Sequence, residues 1–250
     1  RADYGIYLPL LSKLKNDNFF NLEIIAFGTH LSKNHGFTIN DIEKDGYDTV
    51  HKITSLINDD SEKGIVISYA NTIIEFSEFW NVHKYDLVFC LGDRFEVNAA
   101  VQASIPFGVK LAHLHGGETT LGAIDNIYRH QITLSSHIHF VASKPFFDRV
   151  KEITGKSDTI YNVGALSLDG VKDLALPDWS DVRKIFNIPD KEFILITFHP
   201  QTINPNKNQV YIKIISEVLS ELSKKYHLVI SLANADTMGS LYRESSRKLK

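Results

Sequence analysis

The sequence predicts an α/β fold built from two Rossmann-like, doubly wound domains. Two observations carry that expectation. Short apolar or β-branched runs alternate with amphipathic stretches along the chain, which is the signature of βαβ units. Most of those runs are continuously apolar, the pattern of strands covered on both faces in a parallel sheet. The division into two rests on the segment Leu174-Ala175-Leu176-Pro177-Asp178-Trp179, which carries a proline and no periodicity. It places a boundary between Gly164 and Ser180, with a first domain expected over 1–168 and the start of a second over 176–250.

Taken in order, strands are expected at Leu22 to Phe27, Gly64 to Ile67, Asp86 to Leu91, Val109 to His113, His137 to Ala142, Thr159 to Val163, Phe193 to Thr197 and His227 to Leu232. The helices between them are Ile6 to Lys15, Ala70 to His83, Phe95 to Ser104, Asp125 to Ser135, Lys144 to Thr154, Ser180 to Phe186, Gln209 to Lys224 and Met238 to Lys250. Arg1 to Gly5 reads as a loop feeding a helix, where an α/β chain usually has a strand first, and Ser245 to Lys250 stops within a helical pattern. Both ends are therefore expected to be incomplete, with the first strand missing and the second domain truncated.

The 250 residues are 43% hydrophobic and 23% charged, as in globular proteins, and a chain of this length buries a core without disulfides or metals. A net charge of −3 gives no electrostatic reason to expect nucleic acid or an anionic membrane as partner. No apolar run reaches the ~18 residues of a membrane span. Cys90, the single cysteine, lies in the apolar run Leu87 to Leu91 and reads as a buried strand thiol in a reducing compartment, most simply the cytoplasm. Gly-x-Gly-x-x-Gly is absent, which weakens a dinucleotide reading, and no cofactor is expected.

Ligands of open α/β sheets bind beyond the carboxyl ends of the strands. The residues just after the expected strands are Gly92-Asp93-Arg94-Phe95-Glu96, Leu114-His115-Gly116-Gly117-Glu118, Gly164-Ala165, Phe198-His199-Pro200-Gln201-Thr202 and Ala233-Asn234-Ala235-Asp236. Asp93 reads as a helix N-cap or as a catalytic carboxylate. Glu118 follows two glycines that allow backbone to approach a ligand closely; it is a loop residue or an acid/base group. Asp125 is a second N-cap candidate. Arg129, beside His130, lies one turn after Asp125, so the two can form an ion pair, or the arginine can hold a sugar diphosphate. Arg1 and Arg94 invite the same comparison. Five histidines fall between His113 and His139. His113-x-His115 and His137-x-His139 are pairs on expected strands, a spacing that can bind zinc. They lie on different strands with no cysteine near, so packing and hydrogen bonding are favoured and no metal site is expected.

Assembled in order, several pieces make the chain resemble the UDP-N-acetylglucosamine 2-epimerase family. They are Arg1-Ala2-Asp3-Tyr4, Gly92 to Glu96, His113-x-His115-Gly116-Gly117-Glu118, Gly122-Ala123-Ile124-Asp125 leading to Arg129-His130-x-Ile132-Thr133, His137-x-His139-Phe140, His199-Pro200-x-Thr202 and Asn234-Ala235-Asp236. The match is to the hydrolysing branch of the sialic and legionaminic acid pathways. The non-hydrolysing branch instead reads His-x-Glu-Ala-Gly-Leu-Arg where this chain has His113 to Glu118. The resemblance implies the GT-B arrangement, with a UDP-sugar entering and UDP plus a free N-acetylmannosamine-type sugar leaving. It implies no nicotinamide, no metal for the chemistry and a homo-oligomer, dimer or tetramer.

By the same resemblance Asp93, Glu118 and Asp125 are the acid/base carboxylates, His199 touches the diphosphate or leaving group, and Arg1 helps hold the nucleotide. Arg94, His115, Arg129, His130, Thr202, Asn234 and Asp236 complete the expected substrate-binding set. Some relatives have glutamate where this chain has His115, so the acid role falls to Glu118 or to His115. Leu134 replaces a lysine common after the Ile-Thr pair. A GT-B glycosyltransferase would share the fold and the UDP-sugar but transfer the sugar to an acceptor, and a sugar-nucleotide sensor would bind without turnover.

Overall fold

A computed structural model describes residues 2–47, 49–173, 175–231 and 239–247. The chain groups into two compact units, Arg1–Asn58 with Gly64–Val171, and Asp59–Lys63 with Lys172–Lys250. In chain order the first unit's segments carry α1 (Ala2–Lys15), β1 (Glu23–Phe27), α2 (Ile39–Lys44), β2 (Thr49–Ile53), α3 (Glu62–Val82), β3 (Val88–Leu91), α4 (Phe95–Ser104), β4 (Leu111–Leu114), α5 (Asp125–Ser135), β5 (Ile138–Val141), α6 (Lys144–Thr154) and β6 (Ile160–Asn162). The second carries α7 (Trp179–Phe186), β7 (Phe193–Thr197), α8 (Asn208–Ser223), β8 (His227–Ser231) and α9 (Gly239–Arg247). Every strand pairing among the described residues is parallel, as the continuously apolar runs suggest. No helix among the described residues is long and apolar enough to cross a membrane.

The first unit holds two sheets, β1-β2 and β3-β4-β5-β6. β1 and β3 do not pair. They face one another across an apolar slot of about 720 Å³, lined by Ile24 and Ala26 on one side, Val88 and Cys90 on the other, with Leu11 and Leu14 of α1 beside them. The unit is thus a doubly wound sheet opened along its middle. Helices fasten each half. Phe76 and Trp80 of α3 pack with Ile53, Ala100 and Ala103, and the Trp80 indole donates to the Ala100 carbonyl at 3.2 Å. Cys90, Val101, Leu111 and Ile132 join β3 and β4 to α4 and α5. Burial pushes the Cys90 thiol up to about 12, so it is a packing group rather than a nucleophile.

Three elements depart from the sequence expectation. Gly64 to Ile67, expected as a strand, lies inside α3. The buried face of α3 is Gly64, Ser68, Thr72, Phe76 and Trp80, a perfect four-residue stripe whose first half is small and polar. Apolar counting missed it because Val66 and Ile67 of that run point outward. The Ser55 and Thr72 hydroxyls, 2.7 Å apart, satisfy each other within the interface. β2 was not foreseen because it pairs on one side only and reads Thr-Val-His-Lys-Ile; its polar side chains break the apolar run. α2, six residues long, was also missed, being too short to show a period. Leu232, Met238 and Lys248 to Lys250, expected at element ends, lie outside the described residues.

Phe76 is 1% exposed and anchors this core. Phe76→Ala should cost about 3–5 kcal/mol of unfolding free energy, read from the urea midpoint with the slope unchanged.

Candidate active site

The site of the first unit is built at the carboxyl ends of β3 and β4. Below it lies His113, the third residue of β4, fully buried. Its Nε2 donates to the Gly92 carbonyl at 2.8 Å, so its Nδ1, 3.1 Å from the Thr133 hydroxyl, is an acceptor. Thr133 has one hydroxyl proton to share between that nitrogen and the Arg129 carbonyl oxygen at 3.0 Å. Burial lowers the His113 pKa to about 3, so the ring is neutral and ties the β3 loop to β4 and α5.

Arg129, on the buried face of α5, makes the second tie. One guanidinium nitrogen pairs with the Asp93 carboxylate. The other donates to the Glu118 carbonyl oxygen at 2.7 Å and reaches Asn126 Oδ1 at 3.5 Å. The ion pair that Arg129 makes is therefore with Asp93, 36 residues away in sequence, where the sequence spacing had suggested Asp125. Asp125 is the first residue of α5, and the N-cap is Ile124. This corrects the capping reading of Asp125, and its carboxylate in the first turn instead complements the helix dipole. Likewise the N-cap of α4 is Arg94, with Asp93 one residue earlier.

His115 lies beyond β4, in left-handed backbone at φ 63°, so His113 and His115 do not share a strand face as expected. Its Nδ1 is 2.7 Å from Glu118 Oε1. The two glycines between them serve packing within the protein. A Cβ on Gly117, at φ +82°, would stand 2.5 Å from the Phe146 carbonyl oxygen, and one on Gly116 would stand 3.1 Å from the His113 ring. The turn is wedged between β4 and α6; at Gly117 only glycine fits, and at Gly116 a Cβ would crowd the His113 ring.

The other expected residues fall elsewhere. Arg94 turns to the buried Glu96, with Nε–Oε2 and Nη2–Oε1 both 3.1 Å, and both line the end of the apolar slot. His130, on α5, is lowered in pKa by burial and by Arg149 and Arg129. His139 is buried in β5 and lowered to about 4 by burial, and the His137 Nδ1 accepts from the Leu111 amide at 3.3 Å. Among the described residues no three metal-ligating side chains come together.

In the second unit, His199 is exposed and Thr202 half-buried in the loop after β7. That loop is held by Asn208, which sequence reasoning missed. Fully buried, it accepts from the Gln201 amide at 2.9 Å, donates to the Gln201 carbonyl at 2.8 Å and accepts from the Tyr242 hydroxyl at 3.1 Å. Its one sequence signal is an asparagine at the first position of a helix behind a polar loop. Arg1, Asn234 and Asp236 lie outside the described residues.

Comparison with known proteins decides the family. The profile of the family described as UDP-N-acetylglucosamine 2-epimerase matches residues 12–250. The chain belongs to that family. Within the epimerase family it is 34% identical over 245 residues to the GDP/UDP-N,N'-diacetylbacillosamine 2-epimerase (hydrolyzing) of Campylobacter jejuni, a match covering 98% of this chain and 63% of that protein. It is 30% identical over 249 residues to the UDP-N,N'-diacetylbacillosamine 2-epimerase (hydrolyzing) of Legionella pneumophila, covering 98% of this chain and 64% of that one. The chain thus spans a little under two thirds of these curated relatives. Among solved structures, the UDP-GlcNAc 2-epimerase of Neisseria meningitidis bound to UDP-GlcNAc superposes with a TM-score of 0.77 at 17% identity, covering 100% of this chain and 67% of that one. That likeness shows the fold.

Three histidines of the first unit are kept neutral by burial, with consequences in acid. Burial lowers His30 and His139 from 6.5 to about 4 and His113 to about 3. The unfolded chain therefore binds more protons than the folded one between those values and 6.5. Unfolding free energy should accordingly fall as pH drops below about 6.5, by on the order of 1 kcal/mol per pH unit per histidine. Urea midpoints measured from about pH 7 down to about pH 4 check this, and a flat profile contradicts it.

Proposed function

We propose that the complete protein is a hydrolysing 2-epimerase. It takes a UDP-N-acetylglucosamine-type sugar to UDP and the free N-acetylmannosamine-type sugar. The observation that carries this reading is the Arg129 bridge, which fixes the Asp93 carboxylate and the Glu118 loop at adjacent strand ends. Ionisable groups concentrate where ligands of such sheets bind. The printed activities of the Campylobacter and Legionella relatives support it. Both are named for a diacetamido sugar, so a 2,4-diacetamido-6-deoxy UDP-sugar is the first substrate to try.

The chemistry asks for such groups. The C2 hydrogen of an acetamido sugar is barely acidic. As the C1–oxygen bond to UDP breaks, the C2–H electron pair can become the C1=C2 double bond, and UDP leaves with the pair from carbon. Water then adds its hydroxyl to C1, and a proton reaches C2 on the opposite face, inverting it. A base at C2, a proton donor and stabilisation of charge near C1 are needed. Asp93, Glu118 and Asp125 form the candidate acid/base set; Arg129 and His115 contact it directly; Arg94 and His130 are substrate-binding candidates on family likeness; and His199, with Thr202, serves the diphosphate. Asn234, Asp236 and Arg1 join the nucleotide site on family likeness. No metal is invoked. The single buried cysteine fits a reducing, cytoplasmic setting. The exposed Val66, Ile74 and Val82 of α3 fit a homo-oligomer, and a sialic- or legionaminic-type pathway fits the substrate class.

The test uses full-length protein and each UDP-sugar in deuterated water, without acceptor. UDP and a free sugar carrying deuterium at C2 are expected. Release only in the presence of an acceptor would mean a glycosyltransferase, and product retaining its C2 hydrogen would exclude elimination. Asp93→Asn should lower turnover about a hundredfold or more with UDP affinity, by calorimetry, nearly intact. His199→Ala should weaken UDP binding as well.

A further inference from the structure

Resting on that reaction, we propose that His115 is the proton-transferring residue at C2 and that Glu118, expected from the sequence to be an acid/base group itself, is its positioning residue. The geometry begins with the direction of the His115–Glu118 hydrogen bond. A carboxylate oxygen 2.7 Å from Nδ1 accepts, so Nδ1 carries the proton and Nε2 of the neutral ring carries the lone pair. Glu118 thereby does to this imidazole what the carboxylate of a hydrolase triad does to its histidine: it selects the tautomer, holds the ring and stabilises the imidazolium once formed.

The second observation is at the far side of the ring. His115 Nε2 is buried and finds no hydrogen-bond partner among the described residues, and the same holds for Nε of Arg129 in the same cluster. Buried polar atoms are nearly always paired, so an unpaired one at a strand end points to a group the protein does not itself supply. His130 and His139 also keep a buried Nδ1 without a partner, but neither ring is hydrogen-bonded to a carboxylate. Another histidine–carboxylate pair among the described residues is His51 with Glu23. There the carboxylate takes Nε2, also accepts from Tyr85, and belongs to the first residue of β1, at the amino end of the sheet. Among the described residues, the contacts seen bring an orienting carboxylate and an unpaired buried ring nitrogen together just past the carboxyl end of a strand at His115.

The third observation is the backbone. His115 is one of three non-glycine residues at positive φ among those described. Such strain persists where the surroundings over-determine it, and it gathers at functional sites. Here Gly116 against His113 and Gly117 against Phe146 do the determining. In the reaction, Nε2 takes the C2 proton as the C2–H pair forms the C1=C2 bond and UDP leaves with the C1–O pair. The imidazolium is balanced by Glu118 and later loses its proton to solvent. The proton added to C2 on the opposite face comes from another group.

Full-length protein tests this with and without turnover. First, histidine labelled with nitrogen-15 should show His115 protonated at Nδ1 and bare at Nε2, and Glu118→Gln should disturb that signature. An Nε2–H tautomer in wild type would overturn the dyad whatever the protein's activity. Second, His115→Ala should lower UDP release about a hundredfold or more at little-changed KM, with added imidazole restoring part of it. Glu118→Gln should lose less, and imidazole should not restore it. Near wild-type turnover of His115→Ala, or rescue of Glu118→Ala by formate at the level of wild type, would assign the proton to Glu118 instead. A wild-type protein inert toward every UDP-sugar would sink the epimerase reading, while the tautomer measurement would still decide the dyad.

Discussion

The Arg129 guanidinium is the interaction on which the site depends. It is buried, and it spends one nitrogen on the Asp93 carboxylate and another on the Glu118 backbone. Two loops from different strands are thereby fixed to one planar, permanently charged group. His113 repeats the arrangement a layer lower, between Gly92 and Thr133. A buried ion pair of this kind contributes little net stability, yet losing one partner strands the other charge. Its value is positional: the Asp93 carboxylate and the Glu118 loop are held in one arrangement at adjacent strand ends.

Where the sequence was legible, the reason was repetition of one physical pattern. α4, α5 and α6 begin and end where apolar spacing and the glycine and serine breaks put them, and β7 likewise matches its apolar run. The failures also have physical sources. The face of α3 that packs is Gly64, Ser68 and Thr72 before it is Phe76 and Trp80; Ser68 and Thr72 meet the segment after β2 through hydrogen bonds to Ile57 and Ser55, which hydrophobic counting cannot see. At Gly116 and Gly117 the sequence showed that close approach was needed, but not that the approaching groups were an imidazole and a backbone carbonyl. That Arg129 pairs with Asp93 rather than Asp125 follows from tertiary geometry, since a helical turn offers only the local partner.

The second unit solves the same problem with a single neutral group. In the loop after β7 the Asn208 amide makes both backbone contacts to Gln201 and also meets the Tyr242 hydroxyl. An amide can do this because it offers donor and acceptor together without charge, so burying it needs no counter-ion. His199 is left exposed on a loop whose backbone is nevertheless tied down.

His113 and His115 stand two residues apart and carry opposite assignments, and the difference is environmental. His113 sits wholly inside the sheet with both nitrogens engaged by a carbonyl and a hydroxyl. Burial drives its pKa to about 3, so proton exchange near neutrality is closed to it and it serves as a fixed strut. Had β4 continued one residue further in extended form, His115 would have pointed to the same face as its neighbour. The left-handed turn at φ 63° removes it from that face and delivers its ring to Glu118. Gly117, at φ +82°, continues the left-handed turn, and a Cβ there would stand 2.5 Å from the Phe146 carbonyl oxygen. The left-handed backbone at His115 thus separates a structural histidine inside β4 from one that, two residues on and beyond the strand, pairs with Glu118.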